Sequence, residues 1–373
     1  MATPDRDNNQ LPQQNAAHEP THDPGAPISS DTDRLFGLPT PRDEASVIVI
    51  PVPFDATCSY RTGAASAPRA VLRASAQLDL LDRRFGPIYT RGIFMDPIPE
   101  DIELLNTSTR RLVDRVVADL DQHGTTHQEH RDAIATADTA CELVRQHVTD
   151  RVRCVLDADQ TPLLLGGEHG VSLGAITACA ERYPTLGVLQ IDAHMDLRRA
   201  YMGLRYSHAS VMLNTLEDAG SIARVVQVGV RDFAQTELDF ASARRITTHF
   251  WDDLADQLDA GASWRSLAES MIEPLPREVY VTLDIDGLDP TLCPNTGTPV
   301  PGGLSWDQAG IMLEVLNASG RRVIGMDLVE VSPGAHETTA GNDREHVPTS
   351  DSVDAIVGAR LLYRMCALAA EKG

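Results

Sequence analysis

Lysine is nearly missing from this chain. Its 373 residues hold one, Lys372, so the 32 basic side chains are otherwise arginine, and they face 54 acidic ones for a formal charge of −22. A field this negative disfavours binding to a nucleic-acid backbone or to anionic lipid, both of which need a basic surface. No apolar run approaches the roughly 18 residues that a membrane-spanning helix requires. The first residues, MATPDRDNNQLPQQN, offer neither a charged beginning nor an apolar core and do not read as a secretory leader. The six cysteines (Cys58, Cys141, Cys154, Cys179, Cys293 and Cys366) include no C-x-x-C pair. Scattered thiols in a chain of this length point to reduced side chains in a cytoplasmic protein and exclude a disulfide framework.

What is present is organised. Residues 1–33 are rich in Pro, Asn, Gln and Asp with almost no large apolar side chain. Such a stretch cannot bury enough surface to offset its ordering entropy, so it reads as a disordered polar and acidic tail. His18 and His22 within it follow from that composition and not from metal binding. From Ala45 onward, short runs rich in Val, Ile and Leu predict strands at 46–52, 162–166, 186–192, 224–230, 278–286 and 322–331. Amphipathic stretches between them predict helices at 67–84, 106–123, 130–158, 172–182, 208–219, 252–272, 305–319 and 351–370. The alternation implies an α/β class, a three-layer α/β/α sandwich around one mostly parallel sheet. Segment 96–130 is the least regular part of the pattern and is expected to form an excursion at the sheet's edge. No linker separates two cores, so residues 34–373 are expected to form one domain.

The acids and histidines fall in telling places. LLLGGEHGVS sets His169 on a Gly-rich turn past a strand end. LQIDAHMDLR sets Asp192, His194 and Asp196 at the end of the next, two residues apart, and VTLDIDGLDP does the same with Asp284 and Asp286. The C-terminal strand ends of a parallel sheet form one rim, and residues two apart in a strand face one side. Four carboxylates and two imidazoles would therefore converge. Carboxylates so crowded repel one another unless cations neutralise them, and two divalent metals would do so. An oxygen-rich set with two imidazoles favours Mn²⁺, with Ni²⁺ the alternative.

GGEHG, DAHMD and TLDIDGLDP, in this order, resemble the metal-binding signatures of the ureohydrolases, the family of arginases and agmatinases. The resemblance runs from about Ala45 to the C-terminus and implies an α/β/α sandwich with a binuclear metal centre that hydrolyses guanidino groups to urea and an amine. It further implies that His169, Asp192, Asp196 and Asp284 hold one metal and Asp192, His194, Asp284 and Asp286 the other. His208, in RYSHASV, matches the family's histidine near the substrate and would pass a proton to the leaving amine. Glu330, in DLVEVSP, matches the acid that pairs with the guanidinium. Asp196 would accept a proton from the attacking water. Members assemble as trimers or hexamers, so a homo-oligomer is implied as well. A zinc deacetylase on the same fold would carry a His-His pair, which this chain lacks. A non-catalytic scaffold would be missing a ligand.

The chain departs from the family pattern at Glu168, usually Asp, at Gly170, usually Ser, and at Asn295. Thr57, in DATCSYR, stands where agmatinases carry Gly, and is expected to narrow the substrate pocket and add a hydroxyl to it. The loop LRRAYMGLRY after Asp196 brings Arg198, Arg199 and Arg205 and no acid before Glu217, which argues against a cationic tail on the substrate. Similarity to an agmatinase-like bacterial subgroup that includes nickel-dependent guanidine hydrolases favours free guanidine. Agmatine, arginine and guanidino acids are the alternatives.

Overall fold

Branched apolar runs become strands here because their residues are covered on both faces. The computed structural model describes residues 33–123, 128–220, 222–340, 343–348 and 352–370; the expected tail lies almost wholly outside them. Eight strands, β1 (Val47–Val52), β2 (Ile93–Met95), β3 (Thr161–Gly166), β4 (Gly187–Ile191), β5 (Arg224–Val230), β6 (Thr247–Phe250), β7 (Glu278–Asp284) and β8 (Arg322–Val329), form one sheet. Their order is β2-β1-β3-β8-β7-β4-β5-β6, and every pairing is parallel. A two-stranded antiparallel ribbon, β9 (Ala335–Ala340) and β10 (Asp343–Pro348), follows β8.

Ten helices join them: α1 (Ala67–Ser75), α2 (Glu100–His123), α3 (Gln128–Asp157), α4 (Ser172–Arg182), α5 (Val211–Asp218), α6 (Gln235–Arg244), α7 (Trp251–Asp259), α8 (Trp264–Ile272), α9 (Trp306–Ala318) and α10 (Val353–Cys366). Strand alternation decides which helices each residue meets. Val47, Val49, Leu163, Leu165, Leu189 and Val281 share a core with α1, α8, α9 and α10. Ile48, Ile50, Leu164, Val188 and Ile324 share the other with α3, α4 and α5. The expected α/β/α sandwich is present, with the sheet wholly parallel. No helix among the described residues is long and apolar enough to cross a membrane.

The helix expected at 106–123 is present as α2 and begins earlier, at Glu100, so segment 96–130 is mostly helix packed along α3 and not an irregular excursion. Its buried residues Ile102, Thr109, Val113 and Val116 lie seven, four and three apart on one helical face, and of these only Ile102 falls outside the expected span. Glu100, Asp101 and Glu103 in its first turn favour that end of a helix. Edge strand β2 is only three residues long, and edge strand β6 and helix α6 carry little apolar signal, so none of them was anticipated. The expected helix 252–272 is two, parted where Gly261 adopts φ +93°. The expected helix 67–84 stops at Ser75.

Candidate metal centre and active site

Four neighbouring strands in the middle of the sheet, β3, β8, β7 and β4, present their C-terminal ends on one rim. His169 follows β3, Glu330 follows β8, Asp284 ends β7 with Asp286 in the next turn, and Asp192, His194 and Asp196 follow β4. Two close approaches draw these ends together. A Cβ on Gly167 would stand 2.0 Å from the Phe54 carbonyl oxygen, so only glycine lets the turn after β3 lie on the loop after β1. A Cβ on Gly287 would stand 2.8 Å from the Asp192 nitrogen, so the turn bearing Asp286 rests on the loop bearing Asp192. Asp196 and Glu330 also hold φ of +56° and +59°. Such left-handed values cost a non-glycine residue about 1–3 kcal/mol and persist only where the surroundings enforce them.

His169 Nδ1 lies 2.8 Å from Asp196 Oδ2, 3.1 Å from Asp192 Oδ2 and 3.4 Å from Asp284 Oδ2. His194 Nδ1 lies 3.1 Å from Asp286 Oδ2 and 3.6 Å from Asp192 Oδ1. Two groups of potential ligands result, His169–Asp192–Asp196 and Asp192–His194–Asp286, each with its atoms within 4.8 Å, and Asp192 belongs to both. Asp284 faces His169 with Oδ2, while its Oδ1 accepts the Asp286 N–H at 2.8 Å.

The proton on His169 tests whether a cation fits. Thr282 Oγ1 donates its one hydrogen to Asp327 Oδ1 at 2.7 Å, so toward His169 Nε2, 2.8 Å away, it can only accept. Nε2 is therefore the N–H, and in the neutral ring Nδ1 carries a lone pair. That nitrogen is buried without a hydrogen-bond partner, although three carboxylate oxygens crowd it. A lone pair aimed at carboxylates is repulsive unless a proton or a metal ion sits between them: without metal, burial is outweighed by the three aspartates, which raise His169 well above its ordinary value. A histidine fixed from behind by a hydroxyl and a carboxylate is how proteins orient a metal-ligating imidazole. The donor set fits a metal. Burial and the Asp192 charge push Asp196 up to about 7. Burial, Asp286 and Asp192 raise Asp284 well above the usual carboxylate range.

Beyond the cluster, Glu330 is buried and accepts the His169 backbone N–H at Oε1, 2.8 Å away. Burial and the nearby Glu168 drive its carboxyl well up. His208 has Ser59 Oγ 3.3 Å from Nε2 and Ser207 Oγ 3.4 Å from Nδ1. Desolvation, followed by the charge on His194, pushes it down to about 4, which keeps the ring neutral. Parts of His169, His194, Asp196, Asp284, His208 and Glu330 line one cavity of ≈ 110 Å³, together with Ser59, Arg198, Tyr201, Ala209, Asp232, Glu237 and Thr298.

Two expectations about the substrate end need correction. Thr57 is fully buried but does not line the cavity. Its hydroxyl donates to Glu168 Oε1 at 2.9 Å and accepts the His208 N–H at 3.2 Å, so it faces the protein. The arginines after Asp196 are not unopposed either. Arg198 meets Glu237 at 3.6 Å, Arg199 meets Glu217 at 3.5 Å and Arg205 meets Asp218 at 2.9 Å. Asp232 and Glu237 bring carboxylates to the cavity from the segment after β5, which the reading of the Asp196 loop did not reach. Arg198 lies 4.8 Å above the Tyr201 ring, and the pair stands at the cavity wall. Thr282 and Asp327, too, were not singled out, although Thr282 sits two residues before Asp284 on the same strand.

Known proteins resemble this chain in sequence and in fold. Residues 45–366 match the arginase family. N(1)-aminopropylagmatine ureohydrolase of Thermus thermophilus is 32% identical over 298 residues, 79% of this chain and 85% of that protein. Proclavaminate amidinohydrolase of Streptomyces clavuligerus is 28% identical, over 89% of this chain and 91% of its own. The crystal structure of agmatine ureohydrolase from Thermoplasma volcanium superposes with a TM-score of 0.66 at 24% identity, covering 90% of this chain and 94% of that one, and so shares the fold. With its family signature spanning most of the sequence, the chain belongs to the arginase family of ureohydrolases, hydrolases of amidine C–N bonds.

Proposed function

We propose that this protein hydrolyses a small guanidino compound, with free guanidine favoured, to urea and an amine or ammonia, using two divalent cations held on the rim. The observation that carries the reading is the pair of ligand groups sharing Asp192, set in the same cavity as Glu330. His169, Asp192, Asp196 and Asp284 would hold one cation, and Asp192, His194, Asp284 and Asp286 the other. Mn²⁺ suits this oxygen-rich set, and Ni²⁺ is the alternative. Such a pair, when bound, supplies a water acidified into a nucleophile at neutral pH.

The chain's own residues do the rest. Glu330 pairs with the planar cation and fixes its orientation, a task for a carboxylate whose backbone is held rigidly. Asp196 takes the proton of the attacking water. His208, neutral at rest in its desolvated setting, takes up that proton in turn and hands it to the departing nitrogen, returning to the neutral ring.

Size favours the short substrate. At ≈ 110 Å³ the cavity falls well below the roughly 300–1,000 Å³ of pockets for drug-sized ligands, and the stacked Arg198–Tyr201 pair forms part of its wall. One relative is named for N(1)-aminopropylagmatine and another for proclavaminate, so the tail must be decided by this chain's own wall. The same reading takes residues 34–373 as one catalytic domain, cytoplasmic and assembled as a homo-oligomer. Its support is likeness to the family over residues 45–366. Urea release measured over guanidine, agmatine, arginine, guanidinobutyrate and guanidinopropionate, with Mn²⁺ and with Ni²⁺, tests the substrate. Guanidine should give the highest kcat/KM; a far higher value for agmatine or arginine would overturn the preference.

A further inference from the structure

Thr57 and Glu168, two of the positions that depart from the family pattern, touch each other. The Thr57 N–H donates to Glu168 Oε2 at 2.8 Å and its hydroxyl donates to Oε1 at 2.9 Å. Both carboxylate oxygens are thus committed to one residue, and both partners are fully or almost fully buried. The threonine hydroxyl then accepts the His208 backbone N–H at 3.2 Å. Two residues further along the loop, Ser59 Oγ stands 3.3 Å from His208 Nε2.

The loop has a second anchor. Asp55 Oδ2 accepts the Gly63 and Ala65 N–H groups, folding residues 55–65 back on themselves, and Asp55 exchanges hydrogen bonds with the Asn106 side chain of α2. Asp55 closes the base of the loop. Thr57 ties its middle to the turn that carries His169, and Ser59 reaches the cavity. The imidazole is therefore located from two directions by one loop, through its backbone by Thr57 and through its ring by Ser59.

We propose that the Thr57–Glu168 pair is a positioning clasp for His208, fixing the backbone of that residue and delivering Ser59 to its ring, and that Thr57 makes no contact with substrate. The proposal rests on the reading that His208 serves the reaction, and the experiment separates the two. Glu168 has the reach to span from the His169 turn to Thr57, and the hydroxyl of Thr57 gives it something to grip. Thr57→Val keeps the shape and the N–H donor but loses the hydroxyl. Misplacement of a catalytic group by about 1 Å can cost on the order of 100-fold in rate, so a partial slackening should lower kcat by about tenfold while KM stays within about twofold. Thr57→Ser restores the hydroxyl and should recover kcat. Glu168→Gln, whose amide must turn away from one of the two donors, should fall in the same direction as Thr57→Val. It serves as the second reading should Thr57→Val fail to fold.

Kinetics on guanidine, together with thermal unfolding and metal content of each variant, form the test. If Thr57 acts through His208, then His208→Asn/Thr57→Val is no slower than His208→Asn alone, a coupling that a general loss of stability would not produce. A rise in KM with kcat unchanged in Thr57→Val would make Thr57 a substrate contact and overturn the proposal. Full additivity in the double variant would overturn it too, while leaving the His208 reading intact. Undiminished kcat in His208→Asn would defeat the reading and the clasp together.

Discussion

Asp82, in the turn after α1, and Asp192, at the end of β4, are both carboxylates withdrawn from water, yet their neighbours differ in kind. Arg364 of α10 meets Asp82 Oδ2 at 2.8 Å, and the Arg84 and Phe85 N–H groups meet Oδ1. Close by, Glu314 of α9 is held by Arg84 at 3.0 Å and Arg265 at 2.9 Å. Burial alone would raise both acids, but these bonds outweigh it and leave Asp82 and Glu314 below their ordinary values. At the rim, three more aspartates and two imidazoles surround Asp192, and no hydrogen bond from arginine reaches it among the described residues. There Asp196 and Asp284 are driven upward. The flank neutralises its acids from within the sequence and so contributes to the fold. The rim has two imidazoles and, among the described residues, no arginine paired with its four aspartates. Against burial, His169 and His194 hold Asp192 below its ordinary value, but Asp196 and Asp284 stay raised, and that excess of buried acid is an invitation to a cation.

The sharpest way to break this contrast is to remove the cation. Anything that binds only the folded state stabilises it, by about 2.7 kcal/mol at 100 times its Kd. Chelation should therefore lower the Tm of the wild-type protein and abolish urea release. Asp192→Asn, which weakens both ligand groups at once, should lose the chelator-dependent part of that shift and cut activity by more than the 10–100-fold typical of an outer-shell change. Asp82→Asn should keep both. A chelator shift that survives in Asp192→Asn would mean that the metal sits elsewhere.

A smaller effect should follow behind the rim. Thr282→Val removes the hydroxyl between His169 Nε2 and Asp327 with little change in volume. The imidazole loses what fixes its tautomer, and metal affinity should weaken by about 10–100-fold. Titrating the thermal shift with Mn²⁺ measures this directly. Unchanged affinity would show that the hydroxyl does not orient the ligand and that the rim depends on its carboxylates alone.

The rim was legible in the sequence where the chemistry is local. Asp192, His194 and Asp196, and Asp284 with Asp286, announce themselves by spacing after apolar runs, and six strands were recognisable because burial on both faces forces Val, Ile and Leu. What was hidden depends on distance along the chain. The partnership of Thr57 with Glu168 joins residues 111 apart, and nothing in either segment signals it. Asp232 and Glu237 reach the cavity from the loop after β5, so reading the Asp196 loop alone mistook a neutralised set of arginines for an electrostatic barrier. Helix α2 was legible only from residue 106 on: its first turn, Glu100 to Glu103, is acidic and buries only Ile102, so the apolar period does not mark its start.

The flank should show the smallest effect and one of a different kind. Asp82 and Arg364 are only 13% and 14% exposed, and the guanidinium also lies 4.4 Å above the Trp306 ring. Hydrogen bonds to charged groups contribute about 1.5–3 kcal/mol, so Asp82→Asn should lose an amount of that order in denaturant unfolding while kcat and KM stay put. The pH dependence identifies the cause. A carboxylate whose folded pKa is depressed contributes stability that is fully present above the unfolded value, about 3.9, and is lost as pH falls through the folded one. The gap between wild type and Asp82→Asn should thus be constant from neutral pH down to about 5 and narrow below about 4, where both side chains become neutral. A gap that persisted undiminished into acid would place the contribution in packing over Trp306 and in shape, not in charge. The flank would then differ from the rim by what it fills and not by how it is neutralised.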